Sequence, residues 1–338
     1  MPMRALLALA LLAASFGLAE PADRKVTLVT LPAKPVELMF RKKRLTLRGV
    51  RILTADGKRL ALADCSTGLC VEPAKDRVVA VQRPAGALPD AVVVTGGRNV
   101  RAAWLAAPTR RYDHAVLGDA IEAGAAVAVD RTNKRHRLTL GLDSVFEDRR
   151  VRLADLDGDG DDELVVVRAY ATEGAALAVL ELGSQGLAIK AETPPIGTPN
   201  RWLNPAGIAD FDGDGRLEVA IVVTPHLGGL LQLWAYRDGR LSRETELKGF
   251  SNHFIGSPVQ EMSAIADFDG DGVDDLALPD AARRSIRIIS FAKSRIAEPD
   301  RIELPGAAVT QILVLKPKGP GRPVLLVGLD TGKLAIIR

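Results

Sequence analysis

An all-β protein assembled from repeated sheets is what this sequence predicts, and three observations predict it. Short apolar runs of strand length recur along most of the chain, as at Leu164 to Val167, Val219 to Val223 and Leu276 to Leu278. Turn residues such as Gly183-Ser184 and Asp238-Gly239 separate each run from a second one, at Ala176 to Leu182, Leu230 to Tyr236 and Ser285 to Phe291. An Asp-rich string also repeats three times, with its first aspartates 55 and 57 residues apart. That spacing suits one blade of a β-propeller or one turn of a solenoid. No stretch beyond the first residues has helical periodicity over twelve or more positions.

The chain has 338 residues, enough for one large all-β unit. Its net charge of +3 is too small to argue for nucleic acid. The start reads as an export signal over residues 1–19: a basic Met1 to Arg4, an unbroken Ala/Leu run from Ala5 to Ala14, and small residues at Gly17 and Ala19. The run is shorter than the roughly 20 apolar residues a bilayer span needs, so cleavage after Ala19 is expected. Residues 20–338 are then the mature unit, periplasmic or extracellular, with no transmembrane segment. In that compartment Cys65 and Cys70, flanking a turn at Gly68, are expected to form a disulfide.

The clear repeats lie at about 151–280. Degenerate copies flank them. Thr310 to Arg338 has a strand–loop–strand outline in which Lys316 and Lys318 stand where acids would be. Asp90 to Val94 and Ala125 to Val129 read as second strands of two shorter blades, and residues 36–85 supply another. This counting predicts seven blades, with six as the alternative. The last blade has sequence for three strands only, at about 311–315, 324–328 and 333–337. The alternating segment Lys25-Val-Thr-Leu-Val-Thr-Leu31 is expected to pair beside Lys333 to Ile337 and close it. Eleven Lys/Arg between Arg24 and Arg59 read either as a patch for an acidic partner or as a solvated strand edge.

The Asp strings carry the chemistry. Positions 1, 3 and 5 are Asp155, Asp157 and Asp159; Asp210, Asp212 and Asp214; and Asp267, Asp269 and Asp271. Alternating aspartates in a tight loop aim three carboxylates at one point, as a calcium ion with six to eight oxygen ligands requires. Glycine at position 6 permits the positive φ of a sharp turn. Position 7 (Asp161, Arg216, Val273) would ligate through its backbone carbonyl, so its side chain varies. Position 9 is acidic throughout, Glu163, Glu218 and Asp275, and would close the coordination sphere. Position 2 (Leu156, Phe211, Phe268) would turn inward and anchor the loop. Four converging carboxylates would repel without a cation, so about three calcium ions are expected. An EF-hand is excluded, because position 12 is Val166, Ile221 or Leu278 and strand sequence follows.

These segments resemble the FG-GAP/VCBS calcium repeats of integrin-α-like β-propellers. The resemblance covers about 151–280 and implies calcium held between the first two strands of a blade. No nucleophile elbow, phosphate loop or paired-histidine metal motif occurs. A scaffold that binds a protein or glycan partner is therefore preferred, with a polysaccharide lyase or hydrolase on the same scaffold as the alternative. The connectors entering each repeat, at the end opposite the Asp loops, are the candidate ligand face. Trp202, Asn204, His253 and Phe254 would be exposed there for contact. The competing reading packs these aromatics between blades.

Overall fold

A computed structural model describes residues 24–41, 45–66, 68–76, 82–317, 319 and 321–338. The expected signal segment and Lys318 lie outside the described residues. The chain is all-β, with short 3-10 turns at Leu47–Gly49 and Ala292–Ser294. Among the described residues no helix is long and apolar enough to cross a membrane.

Strands meander antiparallel, each beside its sequence neighbour. One sheet runs Pro35–Phe40, Val50–Thr54, Arg59–Cys65, Gly68–Pro73. The expected disulfide joins Cys65 to Cys70 across its last turn, with the Cα atoms 5.9 Å apart. Two further four-stranded sheets run Leu203–Ala209, Glu218–Val223, Leu230–Arg237, Arg240–Lys248 and Ala264–Ala266, Asp275–Pro279, Ser285–Ser290, Ala297–Glu303. Between the first sheet and these lie nine strands in one sheet. They form two groups of four: Val94–Thr95, Val100–Thr109, Glu122–Asp130, Arg135–Thr139, and Arg152–Ala154, Glu163–Tyr170, Gly174–Gly183, Gly186–Glu192. The ninth strand, Ser144–Phe146, pairs with both groups and bridges them.

This arrangement corrects one expectation. Asp90 to Val94 and Ala125 to Val129 are not the second strands of two separate blades. Only Val94–Thr95 of the former is a strand, and both segments belong to the same group of four. The strand between them, Val100–Thr109, is rich in alanine and does not alternate, so it lacks the β-branched signature of a strand. It is built for close approach instead: its Ala103 and Ala106, and Ala125 and Ala126 on the neighbouring strand Glu122–Asp130, are at most 1% exposed.

The first and last strands among the described residues meet as expected. Val26–Thr30 pairs antiparallel with Lys333–Ile337, from Val26 opposite Ile337 to Thr30 opposite Lys333. Val324–Gly328 and Leu313–Leu315 complete that sheet. Leu334 to Ile337 are wholly buried, and so apolar a strand would be a sticky edge if left bare.

Consecutive sheets share apolar cores. Val165 and Leu177 pack with Val219 and Ile221; Phe211 and Leu231 with Leu276 and Ile289; Ala277 and Ile288 with Leu325 and Ala335. Leu38, Ile52 and Leu60 pack with Leu326, Leu334 and Ile336. The first strands of four strand groups line one cavity of about 420 Å³, with Leu153, Ile208, Ile265 and Val314 in its wall. The basic stretch at the start is partly dissolved into the fold. The Arg24 side chain is buried, pairs with Asp300 at 2.8 Å and donates to the carbonyls of Phe268 and Pro323. Arg51 is buried against Asp76.

Candidate metal centres

The three Asp loops are built alike down to their backbone register. Each is pinched between two paired strands, and the residue before position 1 faces position 9: Ala154 opposite Glu163, Ala209 opposite Glu218, Ala266 opposite Asp275. Position 2 turns inward as expected. Leu156, Phe211 and Phe268 are at most 2% exposed. Their backbone N–H groups donate to the position 9 carboxylate at 2.7, 3.1 and 2.8 Å, so the apolar anchor also places the closing acid.

The position 1 carboxylate organises the turn. One oxygen accepts the N–H of position 4 (Gly158, Gly213, Gly270) at 2.8, 2.8 and 2.6 Å. The other accepts the N–H of position 6 (Gly160, Gly215, Gly272) at 3.2, 2.9 and 3.1 Å. Those glycines at position 6 have φ of +97°, +87° and +92°, which L side chains rarely adopt. Position 3 accepts from position 5, and position 5 from position 7 (Asp161, Arg216, Val273). The loop thus holds its carboxylates in place through its own backbone.

Three acidic clusters result. Ligand atoms lie within 4.8 Å of one another in Asp155, Asp157 and Glu163; in Asp210, Asp212 and Glu218; and in Asp267, Asp269 and Asp271. Asp159 and Asp214 stand outside the first two clusters, and Asp275 outside the third. Chain length explains the last case. Asp275 is one methylene shorter than glutamate, and one of its oxygens is already held by the N–H groups of Phe268 and Asp269.

The donor set fits a hard cation. Burial, foremost, pushes Glu163, Glu218 and Asp275 each up to about 7. Neighbouring aspartates push the same way. Asp275 Oδ1 is moreover buried with no hydrogen-bond partner of ordinary geometry. A cation among these oxygens would remove the penalty for ionising them.

Two basic residues at the clusters escaped the sequence reading. Arg98 Nη1 lies 2.7 Å from Asp155 Oδ2. Arg237 donates to Glu218 Oε1 at 2.8 Å and to the carbonyls of Leu156 and Leu217, touching the first and second loops at once. Arg98 precedes the first loop by more than fifty residues, and nothing local to either arginine marks it. At the third loop Arg24 donates to the Phe268 carbonyl at 3.0 Å, and Lys316 forms an exposed pair with Asp274 at 3.5 Å.

The expected ligand face needs correction. Trp202, Asn204 and His253 are at most 2% exposed, and only Phe254 is half-buried. Trp202 Nε1 donates to the Glu147 carbonyl at 2.9 Å. Asn204 donates to the carbonyls of Asn252 and Gln260, and Asn252 donates back to the Asn204 carbonyl. Phe254 has the Arg283 guanidinium over its ring. These side chains are tied to other segments of the chain, Trp202 to Glu147 and Asn204 to Asn252 and Gln260, rather than facing solvent.

The sequence profile of the FG-GAP-like repeat matches residues 155–221 and 210–278. No curated protein matches the chain. Among solved structures, a rhamnogalacturonan lyase, YesW, is 16% identical over 82% of this chain and 62% of the lyase, with a TM-score of 0.40. The Bacillus licheniformis rhamnogalacturonan lyase PL11 is also 16% identical, over 91% and 60%, with a TM-score of 0.41. Saccharomyces cerevisiae Sqt1 is 13% identical over 89% and 71%, with a TM-score of 0.43. The chain spans less than two thirds of the length of either lyase.

Proposed function

We propose that this FG-GAP repeat protein is an exported β-propeller that holds three calcium ions and serves as a binding scaffold for a protein or glycan partner. Six blades rather than seven is the count the strand groups favour. Each of the six is four antiparallel strands, and the N-terminal strand supplies the outer member of the last. Six sequential groups sharing cores would close into a ring once the first group meets the second.

The single observation that carries the calcium reading is the shared register and backbone hydrogen bonding of three loops, each of which gathers three carboxylates. Positions 1, 3, 5 and 9 would supply side-chain oxygens, and position 7 (Asp161, Arg216, Val273) its carbonyl. Calcium accepts such mixed oxygen sets. Bound there, it neutralises the loop acids and ties the first two strands of each blade. Its role is structural.

Calorimetric titration of the metal-depleted protein tests this: three calcium ions per chain are expected, with magnesium weaker because its octahedral demand is stricter. Absence of calcium binding overturns the reading. Capture of proteins and glycans by the calcium-loaded chain tests the scaffold role, and turnover of a polysaccharide by that same preparation would move the reading to an enzyme.

A further inference from the structure

Away from the Asp loops, segments from three strand groups converge on a cavity of about 150 Å³. Its wall includes His114, Asn200, Trp202, Thr224, His226 and Ile255. The Gly256 N–H donates to the Val116 carbonyl at 2.8 Å and ties two of these segments together. Asn200 and Thr224 have φ of +53° and +49°. Positive φ is costly for a β-branched residue and tends to mark functional sites.

Both histidines in the wall have one ring nitrogen committed behind them. His253 Nε2 lies 2.8 Å from the Ser257 carbonyl, which can only accept, so that nitrogen carries the proton. His253 Nδ1 is then a lone pair, and His226 Nε2–H donates to it at 2.8 Å. That leaves the lone pair of His226 on Nδ1. On the other side, His114 Nδ1 is bonded to Glu147 Oε1 at 2.7 Å, leaving His114 Nε2 uncommitted. Glu147 is wholly buried, and its second oxygen has no hydrogen-bond partner. The rings are also fixed sideways. Trp202 lies parallel to His226, with ring centroids 6.2 Å apart, and Tyr112 stands edge-on to His114.

We propose that this cavity binds one borderline divalent transition-metal ion of the Zn²⁺ or Cu²⁺ class through His114 Nε2 and His226 Nδ1. Two imidazoles with their second nitrogens held by a carboxylate and by a hydrogen-bond relay are the supporting arrangement that metal-ligating histidines have elsewhere. Imidazole selects zinc, copper or nickel over calcium, so this site and the Asp loops would not compete for one ion. Two protein ligands leave positions open for water or an exogenous ligand. The proposal does not rest on the calcium reading.

Copper titration of the full, calcium-saturated chain, free of any polyhistidine tag, tests it by electron paramagnetic resonance. One Cu²⁺ per chain is expected, with nitrogen superhyperfine structure from two imidazoles, and Zn²⁺ displaces it only in large excess because Cu²⁺ binds imidazole more tightly. Tenfold excess calcium leaves the signal unchanged. His226→Ala and His114→Gln each lose one nitrogen and at least tenfold in affinity. His114→Gln leaves the His226–His253 relay intact, so it answers the question even where His226→Ala disturbs folding. No copper bound at one equivalent, or a spectrum unaltered in His114→Gln, overturns the proposal.

Discussion

Two groups of crowded carboxylates occupy this molecule, and they relieve their repulsion in opposite ways. In the Asp loops the acids are consecutive in sequence, partly exposed, and supplied with backbone N–H groups. Elsewhere Asp90, Asp119, Glu122 and Asp148 border a water-sized cavity of about 10 Å³. Asp148 is fully served, accepting from Gln260, Arg152 and the N–H groups of Arg149 and Val167. Asp90 takes the Arg149 guanidinium at 2.6 Å. Glu122 is 2% exposed and accepts no side-chain hydrogen bond among the described residues. Burial, then the carboxylates of Glu147, Asp119, Asp90 and Asp148, push it up to about 9. The loops call for a cation; Glu122 keeps a proton. Acids with a shared backbone scaffold are poised for a metal, whereas an acid stranded among served neighbours neutralises itself.

Removing calcium should have the largest effect on this contrast. At a hundredfold excess over its Kd each ion stabilises the native state by about 2.7 kcal/mol. With three ions, chelation should lower the melting temperature by on the order of 10 °C or more. An unchanged melting curve would show that the loops tolerate their own charge.

Glu122→Gln comes next, tested with calcium saturating. The native carboxyl titrates near 9 and the unfolded one near 4.5. The native state therefore binds the proton more tightly, and the stability this confers is complete below pH 4.5 and is lost as pH rises toward 9. At pH 7 the loss amounts to ~3 kcal/mol. The Gln variant cannot ionise, so its melting temperature should hold steady between pH 5 and 9 while the parent's falls. Parallel profiles would mean that Glu122 is ionised and the contrast false.

Asp212→Ala should then remove one ion and leave two, read by calorimetry. Loss of all three would show that the loops act as one site. The smallest effect belongs to Arg237→Leu. Its guanidinium competes for Glu218, so calcium should bind the second loop roughly 3–5-fold tighter, an effect of the size of a partly exposed ion pair. Unchanged or weaker affinity would make Arg237 a support for the loop rather than a competitor.

The same contrast explains what was legible in the sequence. Asp155 to Glu163 and its two copies announce themselves because every donor, hinge glycine and anchor lies within nine consecutive positions. The pairing of Val26–Thr30 was legible for a similar reason, since β-branched alternation and a strand-poor last unit are both visible in one dimension. The Glu122 cavity draws on residues 90, 119, 122 and 148, and no local pattern joins them. The departure of Asp275 from its cluster hangs on a single methylene. Val100–Thr109 hid because alanine signals close packing rather than strand. Trp202 and His253 read as surface residues because connectors usually are, while the groups they bond to, Glu147 and His226, lie far away in sequence.

The pairing of Val26–Thr30 with Lys333–Ile337 also sets a timetable. Val26–Thr30 finds its partner only when Lys333–Ile337 has been made, roughly 300 residues later. At ~5–20 residues per second, a ribosome leaves it waiting for roughly 15–60 s. Throughout that interval the apolar Val26, Leu28 and Val29 are part of an unclaimed β-template, able to pair with any other unfinished chain. Birth of this protein is therefore a period of exposure that a mature molecule never revisits, and a chaperone that shelters one short segment near the N-terminus would cover it.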